Sequence, residues 1–138
     1  MKIERENNTA NILLVPRVSH KQIAKYLCSA DVLVLPNKKG NETSEKYTSP
    51  MKLFEYMAAR RPIVCSDVGS LREILDDSTA YIFKANDAGD LARAVIDSLG
   101  DVSEANKRVA KAFELSKQYT WQKRAGNILA FINQGLKK

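Results

Sequence analysis

The segment from Ser49 to Glu55 places a serine, a proline, a lysine and a glutamate around the start of a predicted helix. Ser49 followed by Pro50 is a frequent helix opening, a cap and then a residue with no N–H to satisfy. A helix start presents unpaired N–H groups and the positive end of the dipole, and both favour an anion such as a pyrophosphate. Lys52 adds a cation in the first turn. We interpret the segment as an anion-binding element.

Glu55 lies about 7 Å along the predicted helix from its start, at ~1.5 Å per residue, and its side chain leans back toward that start. Its carboxylate could accept two hydrogen bonds from a ribose diol while phosphate groups occupy the helix start. The pattern therefore predicts a nucleotide diphosphate site. Two simpler interpretations stay open: Ser49-Pro50 as a cap alone, and Lys52 with Glu55 as an ordinary surface pair.

The residues before this segment, 37–48, are almost wholly polar and show no apolar periodicity. They predict a long loop, and long loops after strands in compact domains are often functional. A loop without a function is the alternative.

Apolar runs and helical periodicity alternate along the chain. The predicted strands are 11–15, 31–35, 63–65 and 80–83, and helices are predicted from Ser19, from Ser49, from a Ser70–Glu73 capping box and across most of 91–135. Trp121 falls on the apolar face of the last helix, about 120–135, and is predicted to lie in the core. This alternation favours a doubly wound α/β domain over 11–138, after an irregular lead-in at 1–10.

Ligands of such sheets bind at the carboxyl ends of the strands, here 16–20, 37–49 and 66–70. His20 and Asp67 fall within these ranges. The simpler interpretation of His20 is a helix-start or loop residue, with a donor contact as the alternative. For Asp67, a turn role is favoured over ligand contact.

Composition fits one globular domain. The chain has 138 residues, of which 44% are hydrophobic and 28% charged, close to the averages for folded domains. Cys28 and Cys65 each lie in an apolar run, which predicts buried, reduced thiols. We expect a cytoplasmic protein without metal or cofactor, because no export signal, long apolar span or nitrogen and sulfur ligand cluster is found in the sequence.

The net charge of +6 favours anionic partners in general. Nucleic acid is disfavoured because aromatic residues are not interleaved with Arg and Lys. An NAD site is disfavoured because no Gly-x-Gly-x-x-Gly follows a strand. A weak contact with an anionic membrane, peripheral on its inner face, stays open.

Four blocks in fixed order resemble the C-terminal half of family-four glycosyltransferases with the GT-B fold. They are residues 23–36, 49–58, 61–64 and 119–121, and the similarity spans roughly 11–133. The resemblance implies a Rossmann-like donor-binding half of a retaining, metal-independent enzyme that takes its sugar from a UDP- or GDP-sugar. Transfer to a glycan or lipid-linked acceptor would place it in polysaccharide biosynthesis of a bacterial type.

The family motif is a glutamate, seven residues and a second glutamate. Glu55 matches the second, which holds the donor ribose. Tyr47 stands where the first glutamate positions the donor sugar, which is a departure from the motif. Glu45 is a candidate substitute two residues away. The catalytic group is therefore not assigned.

The resemblance also implies where the rest of the donor would lie. The backbone of Pro50, Met51 and Lys52 would meet the diphosphate. The base would lie near Arg17 and Val18, after the first predicted strand.

An acceptor half and a preceding strand and helix with basic side chains would complete such an enzyme. The resemblance implies a half-domain truncated at its N-terminus and inactive alone, with the acceptor half as its partner. Two alternatives stay open: a non-catalytic nucleotide-binding or interaction module, and a UDP-sugar epimerase with the same two-half architecture.

Overall fold

The structure is a computed structural model that describes residues 11–40 and 51–135. Its described elements alternate in the order predicted for an α/β domain. They are α1 (His20–Ser29), β1 (Leu33–Leu35), α2 (Met51–Ala58), β2 (Ile63–Ser66), α3 (Gly69–Arg72), β3 (Tyr81–Phe83), α4 (Ala88–Gly100), α5 (Val102–Ser116) and α6 (Trp121–Gly135).

The three strands form a parallel sheet in the order β1-β2-β3. Val34 pairs with Val64, and Cys65 pairs with Ile82. The hydroxyl of buried Ser66 donates to the Leu35 carbonyl at 3.3 Å, which adds a side-chain tie between β1 and β2. The predicted parallel α/β fold is confirmed.

The core lies on both faces of the central strand, because successive side chains of a strand point to opposite faces. Ile63 and Cys65 pack with Leu53 and Met57 of α2 on one face. Val64 packs with Ala94 of α4 on the other. A strand covered on both faces needs a continuous apolar run, which is what residues 63–65 supply.

The predicted first strand is wrong. Residues 11–18 contain no strand, and Leu13 is 86% exposed. An apolar run becomes a strand only when a neighbour satisfies its N–H and C=O groups, and no described strand pairs with this one.

Three predictions about side chains are also wrong. Trp121 is 69% exposed rather than in the core, because α6 has no buried residue. Cys28 is exposed, whereas Cys65 is buried as predicted. Ser70 does not cap α3: Val68 is the N-cap and its carbonyl accepts from Leu71 and Arg72, which starts the helix one residue before Ser70.

The predicted cap of α1 is confirmed. Ser19 is its N-cap, and the Gln22 side chain accepts from the Ser19 N–H at 3.1 Å.

Candidate functional site

Helix α2 carries three of the predicted site residues, Met51, Lys52 and Glu55, and is fixed to the domain by its opposite side. Leu53 and Met57 are 0% and 1% exposed. Residues four apart lie on one face of a helix, so this buried pair leaves Lys52 exposed and Glu55 half-buried. The helix therefore presents Glu55 from a rigid base.

Glu55 lines a groove of about 990 Å³. The walls come from α2, from α6 with the residues just before it, from the start of α1 and from the end of α3. Glu55 is accompanied there by Glu73, His20 and Arg124, and by the aromatic rings of Phe54 and Tyr119. The two rings contact each other with centroids 5.0 Å apart.

The groove combines hydrogen-bonding groups with flat apolar surface. Ligand pockets in proteins have this make-up, apolar walls with a few polar groups that fix orientation. Two carboxylates suit hydroxyl donors, Arg124 suits an anion, and the rings suit a base or a sugar face. The geometry therefore fits a polar ligand that also carries a flat ring.

Tyr56 follows Glu55 on α2. Burial raises the pKa of its phenol above the ordinary value of 10.0, and the negative charge of Glu55 raises it further. The phenol therefore stays protonated at neutral pH.

His20 begins α1, is exposed and lines the groove with Glu55, so the structure brings these two predicted residues together. A smaller gap of about 220 Å³ between α1 and α2 also contains both. Arg17 is exposed and Val18 half-buried just before α1. Neither lines the groove, so their contact with the base stays a prediction.

Four predicted site residues, Glu45, Tyr47, Ser49 and Pro50, lie outside the described residues. Met51, the first described residue of α2, lines the groove and is 53% exposed.

Sequence reasoning missed Glu73, Arg124 and the groove wall formed by Tyr119. In the sequence, the 119–121 block points to the site only through the family resemblance, and the pattern at Glu73 favours a capping box. No local pattern carries this signal, because these residues approach Glu55 only when α3 and α6 meet α2.

The carboxyl edge of the sheet holds a second set of polar contacts. Asp67, after β2, pairs with Arg72 at 3.3 Å, and its N–H donates to the Phe83 carbonyl at 2.7 Å. Asn86, after β3, exchanges two hydrogen bonds with the backbone of Lys39, after β1. Asp67 thus forms an ion pair with Arg72 and a backbone hydrogen bond to β3, and the turn role favoured from the sequence stays a prediction.

Burial raises the pKa of the Cys65 thiol to about 12. Cys65 is therefore protonated at neutral pH and acts as a small apolar core residue.

Within residues 11–40 and 51–135, no group of three or more His, Cys, Asp or Glu side chains is arranged to hold a metal ion. In the same part of the chain, no helix has the length and apolarity needed to cross a membrane.

Comparison with known proteins identifies the family. The model of the family described as Glycosyl transferases group 1 matches residues 1–101. Phosphatidyl-myo-inositol mannosyltransferase of Mycobacterium leprae is 31% identical over 107 residues, covering 77% of this chain and 27% of that protein. An uncharacterized glycosyltransferase of Methanocaldococcus jannaschii is 26% identical over 119 residues, covering 86% of this chain and 32% of that protein. The chain thus spans about a third or less of these relatives.

Solved structures share the fold. Sucrose-phosphate synthase from Thermosynechococcus elongatus matches with a TM-score of 0.72 and 23% identity, over 89% of this chain and 30% of that one. The C-terminal domain of a glycosyl transferase group 1 family protein from Francisella tularensis matches with a TM-score of 0.64 and 17% identity, over 78% and 53%. The fold is that of a small C-terminal-type domain of the GT-B glycosyltransferases, and the chain belongs to the glycosyl transferases group 1 family.

Proposed function

We propose that this chain is the donor-binding half of a retaining family-four glycosyltransferase, and that it holds a UDP- or GDP-sugar. The diphosphate lies at the start of α2, beside the backbone of Pro50, Met51 and Lys52. The ribose diol lies against Glu55. The observation that carries the proposal is the placement of Glu55, half-buried on an anchored helix and open to a groove close to the helix start.

The chemistry of this half is binding and orientation. The dipole and N–H groups of α2 stabilise the diphosphate, and exposed Lys52 adds positive charge next to it. A carboxylate that accepts two hydroxyl hydrogen bonds fixes the ribose, because hydrogen bonds to charged groups are strong and directional. Glu55 therefore sets the orientation of the nucleotide, and that orientation determines where the attached sugar lies.

Sugar transfer needs an acceptor half, which we place elsewhere in a longer protein. The chain covers only 27% and 32% of the two sequence relatives described above, and apolar side chains such as Leu13 and Phe131 are exposed on it. The family match favours a transferase over the epimerase and interaction-module alternatives. The cytoplasmic location and the weak membrane contact stay predictions.

The first test is a titration of the 138-residue chain with UDP and with GDP, followed by NMR. We expect the amides of residues 51–55 to shift. Glu55→Gln should weaken binding about tenfold or more, because a hydrogen bond to a charged group contributes about 1.5–3 kcal/mol. The control is Glu114→Gln, which makes the same charge change on exposed Glu114 of α5, outside the groove.

Comparison of UDP with 2′-deoxy-UDP separates the ribose contact from the phosphate contact. The wild-type chain should prefer UDP, and Glu55→Gln should lose most of that preference while its amides at 51–53 still shift. A preference that survives in Glu55→Gln would rule out the ribose role of Glu55. Absence of any shift at millimolar nucleotide would rule out donor binding by this chain.

A further inference from the structure

Asn86 joins two loops at the carboxyl edge of the sheet. The Lys39 N–H donates to Asn86 Oδ1 at 3.3 Å, and Asn86 Nδ2 donates to the Lys39 carbonyl at 3.0 Å. One carboxamide thus satisfies both backbone groups of one residue, as a neighbouring strand would. The pair lies 47 positions apart in sequence, so the contact is tertiary.

The contact crosses the end of the central strand. Lys39 follows β1 and Asn86 follows β3, and β2 lies between these strands. Neighbouring strands are about 4.8 Å apart, so strands two places apart are separated by roughly twice that distance. The segments after β1 and β3 must therefore approach each other across the end of β2 for this contact to form.

Asn86 is held rigidly on its own side. Its φ of 66° is left-handed, a conformation that asparagine adopts more readily than most residues. Just before it, the Lys84 N–H donates to Asp90 at 2.6 Å. Just after it, Asp87 caps α4 by accepting from the Asp90 N–H at 3.0 Å. Helix α4 packs on β2 and β3, so the Asn86 backbone is tied to the core.

Asn86 bonds to both backbone groups of Lys39. The side chains of Lys38 and Lys39 are exposed. Gly40 follows with φ 97°, which a side chain would strain.

We propose that Asn86 is a positioning residue for the donor site, which holds Lys38 and Lys39 at the carboxyl edge of the sheet. This inference rests on the proposed nucleotide binding at α2. Ligands of α/β sheets bind at this edge, and two lysines fixed there attract a diphosphate more effectively than two lysines on an unrestrained segment. Asn86 acts through Lys39 and has no contact with the nucleotide.

The test compares Asn86→Gly and Asn86→Asp with wild type in the 138-residue chain. Glycine keeps the left-handed backbone and removes the carboxamide. Aspartate keeps an acceptor for the Lys39 N–H but sets an oxygen against the Lys39 carbonyl. Asn106→Ala, at an exposed position of α5, is the control. Three quantities are measured: amide hydrogen exchange of Lys39, the dissociation constant for UDP, and Tm.

Asn86→Gly should speed Lys39 exchange and weaken UDP binding about threefold to tenfold, as expected for loss of two neutral hydrogen bonds. Asn86→Asp, which loses only the bond to the Lys39 carbonyl, should change both quantities in the same direction. The unliganded chains of both variants should be fully folded at the titration temperature, and Asn106→Ala should match wild type in all three quantities. A change in Tm with unchanged UDP affinity would overturn the proposal, since a purely structural role predicts that result.

Two further results separate failure of this inference from failure of nucleotide binding at α2. Unchanged Lys39 exchange in Asn86→Gly would show that the contact is not formed and would overturn the inference alone. If wild type shows protected Lys39 but no UDP binding, donor binding itself fails and the inference falls with it.

Discussion

The role proposed for Glu55 follows from its position, because other glutamates of the chain carry the same carboxylate but do not lie at such a site. Glu114 is exposed and pairs with Lys117 at 2.6 Å, an arrangement that contributes little in water. Glu55 is half-buried and faces a groove. The spacing predicted that Glu55 lies near the helix start, whereas its groove and the presence of Glu73 and Arg124 there depend on tertiary contacts.

Asp76 gives the fold a pH dependence at the scale of one residue. Its Oδ1 accepts from the Ser78 N–H at 2.9 Å, the Ser78 hydroxyl at 2.8 Å and the Thr79 hydroxyl at 2.9 Å. The side-chain hydrogen bonds from Ser78 and Thr79 lower the pKa of this carboxyl from its ordinary 3.8. A carboxyl with a lowered folded-state pKa stabilises the fold above its unfolded pKa, and that contribution is lost as pH falls through the folded value.

We therefore expect Tm to fall less between pH 5 and about pH 2 in Asp76→Asn than in wild type. The measurement is thermal unfolding followed by circular dichroism across that range. Asp31→Asn, at an exposed position before β1, should keep the wild-type slope. Equal slopes for wild type and Asp76→Asn would contradict the assignment.

At the scale of elements, α2 links the core to the site. Leu53 is fully buried between β2 and the flanking helices, two residues from Glu55. Arg60, just past the end of α2, stacks on Phe113 of α5 at 3.7 Å and adds a second attachment. The position of Glu55 therefore depends on packing on the far side of its helix.

Leu53→Ala should lower the free energy of unfolding by about 2–5 kcal/mol, because it leaves a cavity under α2. Met51→Ala, on the same helix at a 53% exposed position, should change it by less than about 1 kcal/mol. Urea unfolding of both variants measures the difference. Similar losses for the two would show that α2 is not anchored through Leu53.

Three of the four predicted strands are confirmed, because the runs at β1, β2 and β3 find partners within the described chain. The run at 11–15 has the same composition but no described partner. The composition of a segment indicates that its side chains favour burial, but it does not indicate which part of the protein buries them. The same reasoning explains Trp121: the amphipathic pattern of α6 correctly predicted a helix, but its apolar face is not covered by the described residues.

At the scale of the whole molecule, two of the described segments each expose several large apolar side chains. Ile12, Leu13 and Leu14 are 65%, 86% and 66% exposed, and Phe131 of α6 is 78% exposed. Contiguous exposed apolar surface in soluble proteins marks interaction sites. We expect the acceptor half of a longer protein to cover part of it.

The fluorescence of Trp121 tests whether α6 is covered by another part of the protein, since Trp121 is the single tryptophan of the chain. In the 138-residue chain its fluorescence should resemble that of a water-exposed indole, with ready quenching by acrylamide and little shift on unfolding. In a longer protein that covers α6, the emission should move to shorter wavelength and quenching should fall. A blue-shifted, protected emission from the 138-residue chain would contradict the exposed placement of α6.

The two cysteines differ in chemical availability. Cys65 is buried with a pKa of about 12, whereas Cys28 is exposed and borders the gap between α1 and α2. Thiol reagents attack the accessible thiolate, so a maleimide dye would label the native chain at Cys28 without any mutation. The protein thus carries a built-in attachment point for a spectroscopic probe, beside the helix that presents Glu55.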